Sequence, residues 1–315
     1  MDSKVINVYV ACAQKKRQLG KAIILDELVP GFAHETIASR FVEWKNRGWI
    51  GNVEKLPFEE VYLGGIWGRL RRMSVNQNLQ VFAVSAGFGL LKPRTRIPNY
   101  DATFSLNVQN SVCGALINNN INGNRRWWNL MVEANRMENQ IASIHDSVRL
   151  IDGIHLVALP QLYLDAVWDD IENVLNDSAM AKRMIILTTS SSKTDKSSSR
   201  VVSIPVGIRA DLGGTIGTIL PRLALKMVNE IAPDICDIGA IQLFVNKLRK
   251  EERLSPKRKR GNNKEISKII IKIIKDNPSS SGYTSILRKF RADGHACEMK
   301  RFKMLFGQIS KFLYK

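Results

Sequence analysis

Five short apolar runs, rich in β-branched residues and separated by longer amphipathic stretches, constrain this chain more than any other feature. They are Val5 to Cys12, Val81 to Val84, Ile154 to Leu159, Met184 to Thr189 and Val201 to Val206. Continuous runs of four to eight such residues read as strands buried on both faces. Between them lie 34–47, with Ile37, Phe41, Val42 and Trp44 at helical spacing, and 130–148 and 162–175, which also read as helices, as does 222–231 after the last run. Strands alternating with helices predict an α/β fold, a largely parallel sheet flanked by helices. There are no internal repeats.

The 315 residues suggest about two domains. The charge shows where they divide. Of the formal net charge of +18, residues 246–315 contribute 20 Lys and Arg against 6 Asp and Glu, leaving a body that is nearly neutral. The expected organisation is an α/β domain over 1–245, a basic linker over 246–263 containing the polybasic PKRKR cluster, and a helical domain over 264–315. That last domain reads as three helices with Gly294 in the second turn, a helix-turn-helix-like unit. Arg288, Lys289 and Arg291 lie on its second helix and Lys300, Arg301, Lys303 and Lys311 on its third. A basic three-helix unit behind a linker suits DNA. A small interaction domain with solvated lysines is the other reading.

A net charge of this size points to an acidic polymer or a membrane surface as partner. No apolar stretch approaches the ~18 residues of a membrane span. The N-terminal apolar core is too short for a secretory signal, so a cytoplasmic location without a membrane partner is expected. Cys12, Cys113, Cys236 and Cys297 are scattered, and His34, His145, His155 and His295 form no ligand pair. Neither a disulfide framework nor a metal or other cofactor is expected. His34 reads as a helix-start residue, with a ligand or base as the other reading, and His155 as a satisfied interior histidine. Asp165, Asp169 and Asp170 read as a solvated helix face rather than a metal cluster. The Ser/Lys segment 190–200 reads as a mobile loop. Gly213-Gly214-Thr215-Ile216-Gly217 matches no nucleotide fingerprint and is assigned no nucleotide role.

The stretch from Gln80 to Phe104 holds the richest chemistry. A buried strand runs into Ser85-Ala86-Gly87-Phe88-Gly89, where two glycines let the backbone turn sharply. Pro93 and Pro98 keep the next segment extended, and Asn99-Tyr100-Asp101 ends it. Ligands of open α/β sheets bind outside the carboxyl ends of the strands, so the site is expected on this loop. Lys15, Lys16 and Arg17 follow another strand end and suit an anion, with a solvated turn as the alternative for Lys16 and Arg17. Arg69, Arg71 and Arg72 follow the Gly64-Gly65 turn. Arg125-Arg126-Trp127-Trp128, after an Asn/Gly loop, could clamp phosphates and wedge between bases. Core packing of the tryptophans at a helix start is the competing reading.

Three motifs align with a known group: Val10-Ala11-Cys12-Ala13-Gln14-Lys15-Lys16, Tyr62-Leu63-Gly64-Gly65-Ile66-Trp67, and Ser85-Ala86-Gly87-Phe88-Gly89-Leu90 with Ile97-Pro98-Asn99-Tyr100-Asp101-Ala102-Thr103-Phe104. Over about residues 5–160 the chain resembles a bacterial and phage family distantly similar to YaaA-like proteins and to the uracil-DNA-glycosylase-like domain of archaeosine synthases. Joined to a basic domain, it also resembles phage-defence DNA glycosylases that excise glucosylated hydroxymethylcytosine. The GQDPY water-activating motif of true uracil-DNA glycosylases is absent. The resemblance implies a metal-independent DNA glycosylase acting on a modified base, with double-stranded DNA as the expected partner. A non-enzymatic DNA-binding or stress-response protein of the YaaA-like type is the alternative.

Glycosidic cleavage passes through an oxocarbenium-like state that needs a carboxylate, donors to the leaving base and a pocket for the extruded base. The expected assignments are Asp101 as the carboxylate, with a helix N-cap as its alternative role, and Tyr100 or Phe88 stacking on the base. Asn99 or Gln14 would read the base edge. Backbone N–H groups near Gly87 and Gly89 would hold a phosphate, and Lys15 or Lys16 would pair with a phosphate or the leaving base. Arg125, Arg126 and Trp127, with Arg288, Arg291, Lys300, Arg301 and Lys303, would contact DNA.

Overall fold

The computed structural model describes residues 5–29, 36–49, 53–76, 78–106, 108–113, 121–189, 199–250, 259–276 and 282–313. The chain divides into two compact units, 1–252 and 253–315.

The first unit is built on a six-stranded sheet. Its strands are β1 (Ile6–Ala11), β2 (Leu79–Ser85), β3 (Gly89–Leu91), β4 (Ile154–Ala158), β5 (Met184–Thr188) and β6 (Val201–Ser203). The spatial order is β6-β5-β4-β1-β2-β3. All neighbours are parallel except β3, which turns back antiparallel on β2. The chain therefore builds outward from β1 to β2 and β3, then returns to the other side of β1 for β4. Tyr9 of β1 stands between Phe82 of β2 and Val157 of β4. The order reverses at β1 and β4, and such a reversal leaves a crevice at the carboxyl ends of the two strands.

The strands are buried because both faces are covered. On one face Tyr9 donates or accepts at Ser147 Oγ (2.7 Å), on the helix Ile144–Leu150, and meets His155 Nδ1 (2.7 Å). His155 Nε2 faces the Ile151 carbonyl at 3.1 Å, so Nε2 carries the proton and Nδ1 accepts from Tyr9. Burial pushes this histidine down to about 4, and it is the satisfied interior residue expected. The helices Gly65–Asn76 and Ile219–Glu230 pack against each other, the first also on β2 and the second on β1 and β4.

Several sequence expectations change. The predicted helix over 130–148 is two helices, Ile121–Arg136 and Ile144–Leu150, the second capped by Ser143 Oγ accepting from Asp146 N. The last predicted strand stops at Ser203, two residues before Pro205. The expected linker begins inside a helix, since Ile238–Lys250 belongs to the first unit. His34, 118–120, 190–198 and most of the polybasic cluster lie outside the described residues.

The three aspartates do not form a solvated face. Asp169 and Asp170 fasten the segment 161–175 to the helix Ile121–Arg136, and Asp165 braces the segment itself. Asp169 accepts from Asn129 Nδ2 (2.7 Å) and pairs with Arg125 (3.5 Å), and Asp165 accepts from Gln161 Nε2 (2.7 Å). Asp170 is buried, and its Oδ2 accepts from Trp128 Nε1 (3.1 Å) and Ile144 N (2.9 Å). Burial outweighs those two donors and pushes the carboxyl up to about 7. The unfolded group titrates near pH ~3.9, so between there and about 7 the folded state holds a proton that the unfolded state has lost. Stability from this group is present below the unfolded value and is lost as pH rises through about 7. Asp170→Asn keeps an acceptor and removes the charge. Its stability advantage over the parent is expected to grow from about pH 5 to about pH 8, reaching a few kcal/mol. Urea unfolding of both proteins across that range checks this, and a constant difference would refute it.

The second unit has its own core, formed by Ile266, Ile270, Phe290, Phe302 and their neighbours on the helices Asn263–Asp276, Tyr283–Ala292 and Met299–Leu313. Asn262 and Glu265 cap the first helix reciprocally. A two-residue parallel pairing of Lys259–Arg260 with His295–Ala296 adds strand to a unit expected to be all-helical. No helix among the described residues is long and apolar enough to cross a membrane.

Candidate functional site

At the β1/β4 switch point the described residues enclose a cavity of about 800 Å³. Cys12, Ala13 and Gln14 leave β1 along one wall. Ala158, Pro160 and Tyr163 form another after β4. Leu63, Gly64 and Gly65 enter from the start of the helix Gly65–Asn76, with Gly64 at φ 113°, where a side chain would be strained. Asp101 to Thr103 and Asn110 close a third side. The fourth is Gly214, Thr215, Gly217 and Thr218, with Arg222 from the first turns of the helix Ile219–Glu230.

Local pairing places the cationic and acidic groups. Residues 15–17 run against 61–63, through Leu63 N to Lys15 O (2.9 Å), Arg17 N to Val61 O (2.8 Å) and a bridge between Lys16 and Tyr62. This brings the Lys16 ammonium to 4.4 Å from the centre of the Tyr100 ring, a cation–π contact at the cavity wall. Tyr100–Asp101 pairs parallel with Ile23–Ile24, so Asp101 sits in extended backbone and caps no helix. Its carboxylate is exposed to the cavity, and Oδ2 accepts from Asn110 Nδ2 at 2.8 Å.

Asn110 is held in turn from behind. At φ 60° it occupies the left-handed region that asparagine tolerates. Its N–H donates to Asp26 Oδ2 (2.6 Å), and its Oδ1 accepts from Asp26 N (3.1 Å). Asp26 Oδ1 pairs with Arg40 at 2.6 Å. Arg40, 1% exposed, also donates to the carbonyls of Val29, Ser111 and Val112 at 2.7–3.0 Å. Burial lowers its pKa, and the neighbouring Asp26 opposes that shift. Arg40, Asp26 and Asn110 thus form one chain of contacts that ends on Asp101.

Hydroxyls are gathered at the same end of the sheet. Tyr100 OH lies 2.7 Å from both Tyr62 OH and Ser85 Oγ, and Tyr163 OH lies 3.3 Å from Cys12 Sγ. Burial pushes all three phenols well above their ordinary range, so they remain neutral donors and acceptors.

No protein-family model, no curated protein and no solved structure matches this chain.

Of the residues expected from sequence, Gln14, Lys16 and Asp101 come together on the cavity. The glycine loop does not join them, because it is a closed hairpin turn between β2 and β3. The N–H groups of Gly87 and Phe88 donate to Ser85 Oγ (3.2 and 3.0 Å), which removes the phosphate cradle expected there. The Gly87 carbonyl accepts from the indoles of Trp44 (2.8 Å) and Trp49 (2.9 Å). A Cβ on Gly87 would stand 2.7 Å from the Tyr100 ring, and one on Gly89 would stand 2.6 Å from Asn135 Nδ2. These glycines permit close packing. Tyr100 is 1% exposed, and Phe88 is stacked on Trp49 and edge-on to Tyr100, so neither ring offers a free face to a base. Asn99 is buried beside that pairing, its carbonyl accepting from Ile23 N (2.9 Å), and Lys15 is exposed outside the cavity wall.

The Arg-Arg-Trp-Trp segment is also mostly interior. Trp127 is fully buried, with Nε1 donating to the Ala86 carbonyl at 2.9 Å, which rules out a wedge role. Arg125 pairs with Asp169, and Arg126 alone of the four is exposed. In the second unit Arg288 and Lys303 are exposed, Lys303 lying 5.6 Å over the Tyr283 ring. Arg301 is engaged by Asn263 Oδ1 (2.8 Å) and the Gly261 carbonyl (3.2 Å), and Arg291 by the Cys297 carbonyl (3.3 Å). The side chain of Lys300 lies outside the described residues.

Sequence reading missed Tyr163, Asn110, Thr218 and Arg222. Gly214, Thr215 and Gly217, from the segment assigned no nucleotide role, line the cavity, which sequence reading did not foresee. The available signal was Gly-Gly-Thr immediately before a helix. No group of three or more metal-ligating side chains occurs among the described residues.

Proposed function

We propose that the chain is a DNA glycosylase of the uracil-glycosylase-like or YaaA-like kind, excising a modified base and leaving an abasic site. The supporting observation is one cavity at the sheet's switch point that joins the Asp101 carboxylate, the Gln14 amide and the Lys16 ammonium. Its size suits a bulky base, since ligand pockets span about 300–1,000 Å³. A glucosylated hydroxymethylcytosine is the substrate considered first.

In this reading the target nucleotide is extruded from the duplex into the cavity. Gln14 presents both an acceptor and a donor to the base edge, and Tyr163 adds a hydroxyl. As the bond from C1′ to the base nitrogen breaks, positive charge develops on the sugar. Asp101 stabilises that charge and orients a water, which adds to C1′ and passes its proton to the carboxylate. Lys16 supports the electron pair that departs with the base. The second unit acts as a basic helix-turn-helix-like module, with Arg288 and Lys303 on its exposed surface.

The test incubates the full chain with DNA from a phage carrying heavily modified cytosines, beside unmodified DNA and without added metal. Alkali-labile sites and a released modified base, identified by mass spectrometry, are expected only with the modified DNA. DNA binding that weakens steeply with salt, with no base released, would replace this reading by the non-enzymatic one. Strand breaks that require Mg²⁺ would also overturn it.

A further inference from the structure

A second cleft opens between the helices Gly65–Asn76 and Ile219–Glu230. It measures about 370 Å³, and its charged lining is Arg69, Arg72, Arg222 and Lys226 against Asp211 and Glu230. Arg222 lines both this cleft and the main cavity, so the two lie side by side across one side chain.

The cations differ in how they are held. Arg71, between the other two arginines in sequence, is turned inward and donates to the carbonyls of Glu59 and Tyr62. Arg222 is anchored by the Leu212 carbonyl (3.2 Å) and Thr218 Oγ1 (3.4 Å), and Lys226 by Glu230. Arg69 and Arg72 are exposed and have no acidic partner among the described residues. They are three residues apart on one helix, so they stand one above the other on a single face. Arg222 and Lys226, four apart, form a matching row on the facing helix. Four cations against two acids, beside a base-sized cavity and spread over two helices, suit a polyanion better than a single anion.

We infer that this cleft holds the phosphates of the DNA strand flanking the nucleotide bound in the main cavity. The inference rests on the reading of DNA as partner. It makes the first unit a contributor to DNA affinity alongside the basic second unit.

The experiment measures Kd of the full chain for a short DNA duplex across a range of KCl concentrations. Each phosphate contact contributes about 0.9 to the slope of log affinity against log salt. Arg69→Gln with Arg72→Gln is expected to flatten the slope by about 2. Arg69→Lys with Arg72→Lys is expected to keep it, because lysine serves a phosphate as a point charge. A double glutamine variant with the parent slope would overturn the proposal, as would a loss that lysine does not rescue. A slope that changes with RNA of the same sequence but not with DNA would overturn it too. The readout needs no base release. A chain that liberates no base but loses two phosphate contacts in the glutamine variant would sink the glycosylase reading and leave the cleft in place.

Discussion

Asp101→Asn is expected to lower base release from modified DNA by roughly 10²–10⁴-fold, the range typical of a positioned acid or base, while DNA affinity stays within about threefold. The substitution is close to isosteric. One oxygen remains to accept from Asn110 Nδ2, so the pairing with Ile23–Ile24, which uses backbone only, should persist. What disappears is the negative charge facing the sugar in the transition state and the second basic oxygen. If Asp101 only fastened its loop, the amide would be nearly neutral for activity and the loss would appear in stability. The informative pattern is therefore a fall in kcat with KM little changed, because the lost interaction strengthens only as charge develops. An Asp101→Asn protein with the parent's kcat would remove Asp101 from the chemistry. Asp101→Glu keeps the charge and extends it by one methylene, so partial activity there would favour charge stabilisation over a strict water geometry.

The sequence made the sheet legible because strands buried on both faces leave continuous apolar runs. Val5 to Cys12 and Ile154 to Leu159 needed no partner information to be recognised. The edge strand Gly89–Leu91 was hidden, since three residues carry no period and their pairing depends on the Ser85–Gly89 turn. The start of the helix Ile121–Arg136 was masked by its Asn and Gly content. Gly123 is there because a Cβ would meet Cys113 Sγ at 2.7 Å, and the helix is settled by the burial of Trp127 and Trp128. Periodicity also could not reveal that Asp170 faces two donors rather than water. In the site, Gln14 and Lys16 were legible as strand-end residues. Asp101 was legible as an acid after a proline-stiffened segment. Tyr163 and Arg222 reach the cavity only because β4 crosses back beside β1 and the helix Ile219–Glu230 lies over both. Gly87 was misread because sequence shows a missing Cβ and not the Tyr100 ring that occupies its place.

Arg40→Leu is expected to destabilise the first unit by about 3 kcal/mol, the low end for breaking a buried ion pair by removing one partner. The low end applies because Asp26 keeps about a third of its side-chain surface in water. The change strands three carbonyls, at Val29, Ser111 and Val112, and leaves the Asp26 carboxylate without its cation. Adding Asp26→Asn should recover part of the loss by removing the unpaired charge, although the carbonyls stay without donors. Urea midpoints of the single and double variants measure this, and a single variant within 1 kcal/mol of the parent would contradict the burial argument. Activity gives a second, separable readout. Asp26 holds Asn110 through two hydrogen bonds, and Asn110 holds Asp101 through one. Asn110→Ala removes the link to Asp101 and the acceptor for Asp26 N, and leaves the Asp26–Arg40 ion pair in place. It is expected to reduce kcat by about tenfold or more, as misplacement of a reacting group does, with a stability cost of about 1–3 kcal/mol from alanine in the left-handed region and the lost acceptor for Asp26 N. If Asn110→Ala retains full kcat, the contacts running from Arg40 are only a structural brace for residues 110–112, and Asp101 finds its position without them.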